Sequence, residues 1–282
     1  MSAYNIRSVF YPAMKLNTAS KILLSLLMGL TVTTPSQAII IRHDMADSRY
    51  LVDELDFPQL FYLHTRYNNK VCMATLIGEQ WAITAGHCSV ETPLGEVVNA
   101  GQVYPVSLLG QDYSVTQLVL HPGFQNPQQS RAVDLALIKL DRPVSGVRPL
   151  ALYRDADELD RILSIIGWGF TGIGTHGRSS NDGKLRRAQN RVEKAGQWLE
   201  FLFDDPRTGN NRALQLEGVP GLGDSGGPAV LETSAGLILL GVALGEIDNP
   251  DFPEQGLYGA VSLYERVSTH YEWIQQVIQT GR

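Results

Sequence analysis

The six residues Gly223-Asp224-Ser225-Gly226-Gly227-Pro228 are the strongest local signal in this 282-residue chain. They place a serine between glycines, and a backbone without side chains lets another chain approach closely. The N–H groups beside such a serine can stabilise a developing oxyanion, an effect worth about 3–4 kcal/mol per donor. Tight turns use the same residue types, so this segment alone predicts either a nucleophile or a turn.

A serine hydroxyl is a weak nucleophile and needs a base, and His87 is the best placed of the six histidines. It lies in Thr84-Ala85-Gly86-His87-Cys88, which closes an apolar segment. Cys72 and Cys88 are the two cysteines of the chain, and in an oxidising compartment they predict one disulfide. Two free buried thiols are the alternative. A crosslink beside His87 would hold the base within reach of its nucleophile.

An aspartate that could orient the histidine is Asp134, in the apolar run Ala132–Leu140. A carboxylate in such a run is costly to bury unless it is paired. A histidine N–H satisfies that demand and fixes the tautomer of the ring. The alternative is a structural aspartate that caps a turn.

These segments resemble the trypsin/chymotrypsin family of serine proteases, and nearly all of the chain after residue 38 takes part in the resemblance. The order His87, Asp134, Ser225 matches that family, as do Gly167-Trp168-Gly169 and the C-terminal segment Tyr264–Ile274. The resemblance is to a secreted, bacterial-type member.

The resemblance implies a catalytic triad of Ser225 as nucleophile, His87 as general base and Asp134 as its orienting group. The amides of Gly223 and Ser225 would form the oxyanion hole. Protein or peptide substrates are implied, and no cofactor or metal is needed. Two cysteines and scattered histidines also lack metal-ligand spacing.

The pattern along the chain predicts an all-β fold, because short apolar segments alternate with turn residues. The resemblance makes this two antiparallel β-barrels of the chymotrypsin type with a C-terminal helix. We predict a signal peptide at 1–38, an N-terminal barrel at 39–150, and a C-terminal barrel with the helix at 151–282, together one peptidase domain. The Gly/Ser/Asn-rich stretch Thr171–Lys184 predicts a long exposed loop.

The Gly-x-Ser-x-Gly pattern around Ser225 also fits the nucleophile elbow of α/β-hydrolases. In that fold the serine precedes the acid and the histidine. Apolar residues at helical intervals predict a C-terminal helix over Tyr264–Gln279. Only His270 follows Ser225, inside this predicted helix, and alternating strand–helix units are missing upstream. The sequence therefore disfavours an esterase.

The substrate pocket departs from the trypsin-like pattern. Val219 stands six positions before Ser225, where relatives that cleave after Arg or Lys carry an aspartate. With Leu222, Leu244 and Gly245 as further pocket residues, we expect an apolar residue before the scissile bond. Glu217 and Glu246 are the carboxylates that would overturn this expectation if either reached the pocket.

Activation is the second departure, because the chain lacks the Ile-Val-Gly-Gly terminus that relatives expose by cleavage. Ile39-Ile40-Ile41 follows the predicted signal directly. Signal removal would free the Ile39 ammonium to pair with Asp224. The alternative is that Arg42 or His43 partners Asp224.

Residues 1–38 carry Arg7, Lys15 and Lys21 before the apolar run Ile22–Leu30, and they end in Ser36-Gln37-Ala38. This is the layout of a secretory signal, so we expect a secreted or periplasmic protein. The run is too short for a membrane span, which needs about 20 residues, although an uncleaved anchor is the alternative. The formal charge of -6 offers no electrostatic case for nucleic acid. Oligomeric state is not predicted.

The resemblance leaves two alternatives to a working protease. One is a binding protein on the same fold that does not catalyse, and the other is a latent zymogen. The altered pocket and activation residues keep both open.

Overall fold

Short apolar segments separated by turn residues form seventeen strands in the part of the chain that the structure describes. The structure is a computed structural model, and it describes residues 39–64, 70–124, 133–209, 212–247 and 254–281. All of these belong to one compact unit, Pro35–Arg282. The predicted signal peptide, residues 1–38, lies outside the described residues.

The strands, in chain order, are β1 (Ile39–Ile41), β2 (Leu60–His64), β3 (Lys70–Leu76), β4 (Trp81–Thr84), β5 (Tyr104–Leu108), β6 (Gln111–Leu120), β7 (Ala136–Leu140), β8 (Ala151–Leu152), β9 (Ile162–Gly167), β10 (Thr171–Ile173), β11 (Gly177–Ser180), β12 (Arg186–Ala195), β13 (Trp198–Leu202), β14 (Gly218–Val219), β15 (Pro228–Thr233), β16 (Gly236–Glu246) and β17 (Val261–Arg266).

The first sheet has six strands in the order β2-β3-β4-β7-β6-β5, all antiparallel. Strand β5 alternates buried and exposed residues, as expected for a sheet with one face on a core. The two edge strands meet where the hydroxyl of Tyr104 accepts from the amide of His64 at 2.8 Å and donates to its carbonyl at 2.7 Å. This contact gives the sheet a barrel-like form.

The second sheet has the order β15-β9-β12-β13-β17-β16-β8, and a further pairing of β15 with β16 closes it into a barrel. Its strands all follow residue 150, whereas those of the first sheet all precede it. One hydrophobic cluster joins both sheets, with Met73, Ile83 and Leu137 from the first and Ile166 and Val242 from the second. Burial of apolar side chains between the sheets stabilises their contact, because each buried chain contributes roughly 1.5–3 kcal/mol.

A third, four-stranded sheet has the order β11-β10-β1-β14. It corrects the prediction of a long loop at Thr171–Lys184, since β10 and β11 form a hairpin there. Short polar strands give little periodic signal, and here backbone pairing with the buried strand β1 decides the conformation.

Three α-helices occur in the described residues: α1 (Cys88–Glu91), α2 (Leu94–Asn99) and α3 (Tyr271–Thr280). Helix α3 buries Ile274 and Val277 against the core. It begins seven residues later than the predicted helical segment Tyr264–Gln279, because residues through Arg266 complete β17. None of the helices in the described ranges is long and apolar enough to cross a membrane. The prediction of an all-β fold with two barrels and a C-terminal helix is confirmed.

Candidate active site

Ser225 lies in a tight loop that is pressed against the first sheet. Gly226 has φ +79°, and a Cβ there would lie 2.3 Å from the carbonyl oxygen of Met73 and 2.4 Å from Oγ1 of Thr84. Only glycine fits this approach without displacing β3 and β4. The amide of Met73 also donates to the Ser225 carbonyl at 2.7 Å. The glycines of the loop therefore serve both the turn and the placement of the serine.

His87 follows strand β4 and precedes helix α1, where the chain is held from several sides. Its amide donates to Oδ1 of Asp134 at 2.7 Å, and its Nδ1 lies 2.6 Å from Oδ2 of the same carboxylate. A disulfide joins Cys88 to Cys72 across a Cα–Cα distance of 6.0 Å. Because an ionised carboxylate only accepts hydrogen bonds, the contact with Oδ2 makes Nδ1 the donor, so that Nε2 is the acceptor in the neutral ring.

Asp134 lies two residues before β7 rather than within a strand. A Cβ on Gly86 would be 2.7 Å from the Phe124 ring and 3.0 Å from Oδ1 of Asp134, so a glycine beside His87 makes room for the carboxylate. The amide of Asp134 donates to Oε1 of Glu265 at 2.8 Å.

Burial and the neighbouring carboxylates act on the pKa of His87 in opposite directions. Burial lowers the pKa of His87, but the hydrogen bond and charge of Asp134, with a smaller contribution from Glu91, raise it above its ordinary value overall. The raised pKa makes the ring a stronger proton acceptor. Among the described residues, the Ser225 hydroxyl donates to the Leu244 carbonyl at 3.4 Å and not to His87. Catalytic hydrogen bonds are often long before substrate binds, and both side chains border the same cleft.

Two backbone amides beside Ser225 are open. The amides of Asp224, Gly226 and Gly227 donate to nearby carbonyls, whereas those of Gly223 and Ser225 donate to no other described residue. Two open N–H groups at and beside Ser225 are the kind of donor that can stabilise an oxyanion.

The orientation of one of these amides is fixed by its own peptide group. The Leu222 carbonyl accepts from the amide of Phe170 at 2.6 Å. Because a trans peptide directs its C=O and N–H in opposite directions, the amide of Gly223 points away from Phe170. Gly223 has φ +96°, a value that favours glycine at this position.

The cleft beside Ser225 is a cavity of about 160 Å³. Its wall contains three of the four residues predicted for the pocket. The full lining is His87, Glu91, Pro220, Gly221, Leu222, Ser225, Ala243, Leu244, Gly245, Glu246 and Gln255. The predicted pocket residues did not include Glu91, Pro220, Gly221, Ala243 and Gln255, which nothing in their local sequence marks as lining a site.

Val219 is the predicted pocket residue that the cleft does not include. It is fully buried in β14, where it pairs with Ile40 of β1, and it packs with Phe203 and Tyr258. The pairing with β1 turns the segment inward, so the surface of the cleft starts at Pro220.

Asp224 is buried below the serine loop and accepts two backbone hydrogen bonds. Oδ1 receives the amide of Gly169 at 2.6 Å, and Oδ2 receives that of Gly221 at 2.8 Å. Burial raises the pKa of Asp224 to about 7, against the opposing effect of these two amides. An ionised carboxylate in this place demands a nearby cation.

Arg42 and His43 make their contacts elsewhere. The guanidinium of Arg42 bonds to Asp44 and to the Leu214 carbonyl, and Nδ1 of His43 lies 2.7 Å from the Tyr258 hydroxyl.

Ile39, in contrast, lies on the approach to Asp224. Strand β1 runs parallel to β10 with Ile39 opposite Thr171, and Gly169, whose amide bonds to Asp224, precedes Thr171 by two residues. Two residues of extended chain span about 7 Å, so Ile39 is opposite a position that lies about this far along the chain from Gly169. Ile39 also has φ +59°, which a β-branched residue rarely adopts in a continuous chain.

A metal site does not follow from the residues near His87. Cys72, His87 and Cys88 lie close enough to share an ion. The two sulfurs are joined as a disulfide, and a metal would require thiolates.

Comparison with known proteins agrees with the geometry. The sequence profile of the Trypsin family matches residues 56–274. The chain is 27% identical to a trypsin of Phaedon cochleariae over 260 residues, covering 86% of this chain and 90% of that protein. It is 25% identical to the CLIP domain-containing serine protease B15 of Anopheles gambiae, covering 84% of this chain and 71% of that one.

Two further similarities concern a bacterial relative and a solved structure. An uncharacterized peptidase of Corynebacterium glutamicum (strain R) is 28% identical, covering 89% of this chain and 80% of the relative. The structure of human heparin binding protein superposes with a TM-score of 0.58 at 19% identity, covering 82% of this chain and 95% of that one, which shows a shared fold. With the profile matching well over half of its length, this chain belongs to the trypsin family of serine proteases.

Proposed function

We propose that this protein is a secreted serine endopeptidase in which Ser225, His87 and Asp134 act as a catalytic triad. The observation that carries the proposal is the pairing of Nδ1 of His87 with Asp134 at 2.6 Å, in the same cleft as Ser225. The pair leaves Nε2 as a base for the serine hydroxyl.

The reaction follows from these positions. Oγ of Ser225 attacks the peptide carbonyl while Nε2 of His87 takes its proton. The amides of Gly223 and Ser225 bind the oxyanion of the tetrahedral intermediate. His87 then protonates the leaving amine, which leaves an acyl-enzyme. A water molecule, deprotonated by His87, hydrolyses the acyl-enzyme and restores Ser225. Asp134 stabilises the imidazolium in both halves of the reaction.

The cleft favours an apolar residue before the scissile bond. Pro220, Leu222, Ala243 and Leu244 line it, and a volume of about 160 Å³ suits a small or medium side chain. Glu246, the carboxylate that would overturn an apolar preference, also lines the cleft. Its Oε2 accepts from the amide of Gly256 at 2.8 Å, a contact that holds the side chain in the wall but leaves its charge in place. The apolar preference therefore rests on the four apolar residues, and cleavage after Arg or Lys would assign the pocket to Glu246 instead.

Activation, in this proposal, is the cleavage that exposes Ile39. The support is the parallel register of β1, which places Ile39 opposite Thr171, two residues after the Gly169 whose amide bonds to Asp224. Cleavage removes the peptide that gives Ile39 its positive φ and supplies an ammonium for the buried carboxylate. The same cleavage would release residues 1–38 as the export signal, and the disulfide fits an oxidising destination. We keep the division of the peptidase domain near residue 150, between the strands of the two barrels.

The test is turnover of a mixed peptide library by protein that starts at Ile39, beside Ser225→Ala and a form with an N-terminal tag. We expect cleavage after Val, Leu or Ala by the first form alone. Cleavage only after Arg or Lys would contradict the pocket assignment, and equal activity of the tagged form would contradict the role of Ile39. No turnover by any form would favour the binding-protein alternative.

A further inference from the structure

Glu265 is a fully buried carboxylate that the triad described above does not include. It is 1% exposed and lies in β17, between Trp198 of β13 and Val242 of β16. A carboxylate in the centre of a sheet is costly unless donors surround it, so its partners indicate its role.

Three groups from three separate segments face this carboxylate. The amide of Asp134 donates to Oε1 at 2.8 Å, and the indole N–H of Trp198 donates to the same oxygen at 3.3 Å. Nε2 of His270, just before helix α3, lies 3.3 Å from Oε2. The shortest of the three contacts is the one to the backbone of Asp134.

This contact crosses from the second barrel to the first. Asp134 precedes β7 of the first sheet, whereas Glu265, Trp198 and His270 all come from the second half of the chain. The side-chain oxygens of Asp134 are both used by His87. The amide of Asp134 is therefore the point at which the rest of the protein can fix the aspartate independently of the histidine.

The neighbouring residue gives a useful contrast. Arg266 forms a buried ion pair with Glu158 at 2.6 Å and also donates to the carbonyls of Ala195 and Gly196. All of these partners lie in the second half of the chain, and none of these hydrogen bonds involves His87 or Asp134. The buried carboxylates of Glu158 and Glu265 thus have different partners. Glu158 pairs with Arg266, whereas Glu265 accepts from the amide of Asp134.

We propose that Glu265 is a positioning residue, whose carboxylate holds the backbone of Asp134 so that its side chain meets His87 in register. The proposal rests on the proposed protease function. Misplacement of a catalytic group by about 1 Å is able to cost roughly 100-fold in rate. Loss of the acceptor should therefore reduce kcat and leave KM nearly unchanged, because Glu265 does not line the substrate cleft.

The variants are Glu265→Gln, which keeps an oxygen acceptor, and Glu265→Met, which keeps the volume and removes it. We expect kcat within about 3-fold of wild type for the first and a loss of roughly 10- to 100-fold for the second. Proton NMR gives a second readout: the low-field signal of the Nδ1 proton of His87 should persist in Glu265→Gln and weaken in Glu265→Met. Glu158→Gln is the matched control; it should lower the melting temperature and leave kcat and the NMR signal unchanged.

Each outcome decides between specific roles. A folded Glu265→Met protein with wild-type kcat and NMR signal would overturn the proposal, as would equal losses of kcat in Glu265→Met and Glu158→Gln. If Glu265→Met does not fold, His270→Phe removes the contact at Oε2 and should lower kcat by about 2- to 5-fold without changing KM; an unchanged kcat there overturns the proposal. Wild-type protein that lacks activity refutes the protease function separately, and the NMR signal still tests the position of Asp134.

Discussion

The two walls of the Ser225 cleft are held in place in different ways. On the histidine wall, side chains set the geometry: Asp134 binds His87 twice, and a disulfide holds the next residue. On the opposite wall, backbone pairing sets it, because the segment of Val219 follows the position of β1. The comparison shows that chemistry is specified by residue identity, whereas pocket shape is specified by the pairing of distant strands.

The largest expected effect comes from the histidine wall. Asp134→Asn keeps the shape of the side chain but lets an amide face Nδ1 of His87, which favours the wrong tautomer. We expect kcat to fall by roughly 10⁴-fold with little change in KM, as a triad aspartate implies. Steady-state kinetics on a peptide substrate measures it, with circular dichroism as the folding control. A loss below 10-fold, which corresponds to less than about 1.4 kcal/mol in the activation free energy, would make Asp134 a structural residue.

The opposite wall should respond to substitution through stability rather than specificity. Val219→Asp buries an unpaired carboxylate beside Ile40, so the free energy of unfolding should drop by about 3 kcal/mol or more. Cleavage after Arg should not appear, since Val219 does not line the cleft.

Leu222→Asp is the matched control for that wall, because Leu222 is 49% exposed at the rim of the cleft. Its unfolding free energy should stay within about 0.5 kcal/mol of wild type. Urea denaturation measures both variants. A stable Val219→Asp protein that cleaves after Arg would show that the valine forms the pocket floor after all.

This difference explains what the sequence could predict. Residue types alone indicated the all-β fold, the C-terminal helix and the Cys72–Cys88 pairing, because apolar periodicity and cysteine chemistry are local. The hairpin of β10 and β11 was wrongly expected to be a loop, since its order depends on β1 more than 130 residues earlier.

Glu265 was not predicted to take part in the site. It lies in β17, where Val261–Arg266 mixes apolar and polar residues, although the cost of burying a carboxylate applies to it as it does to Asp134. Its partner, however, is a backbone amide, which carries no residue type for a sequence pattern to detect.

The smallest expected effect concerns the exposed edge of the histidine wall. The charge of Glu91 contributes to the raised pKa of His87, so Glu91→Gln should lower that pKa. Because His87 must be neutral to act as a base, the acid limb of the kcat/KM profile should move to lower pH. We expect a small shift, since exposed charges are screened, and it should vanish at high salt. A shift to higher pH would contradict this sign.

Labelling by a fluorophosphonate probe, followed by intact-mass analysis, tests the central claim most directly. The protein that starts at Ile39 should gain the mass of one probe, and the same protein with Ser225→Ala should gain none. Labelling that persists in the variant, or its absence in both proteins, would contradict the account of Ser225 as a nucleophile activated by His87 and Asp134.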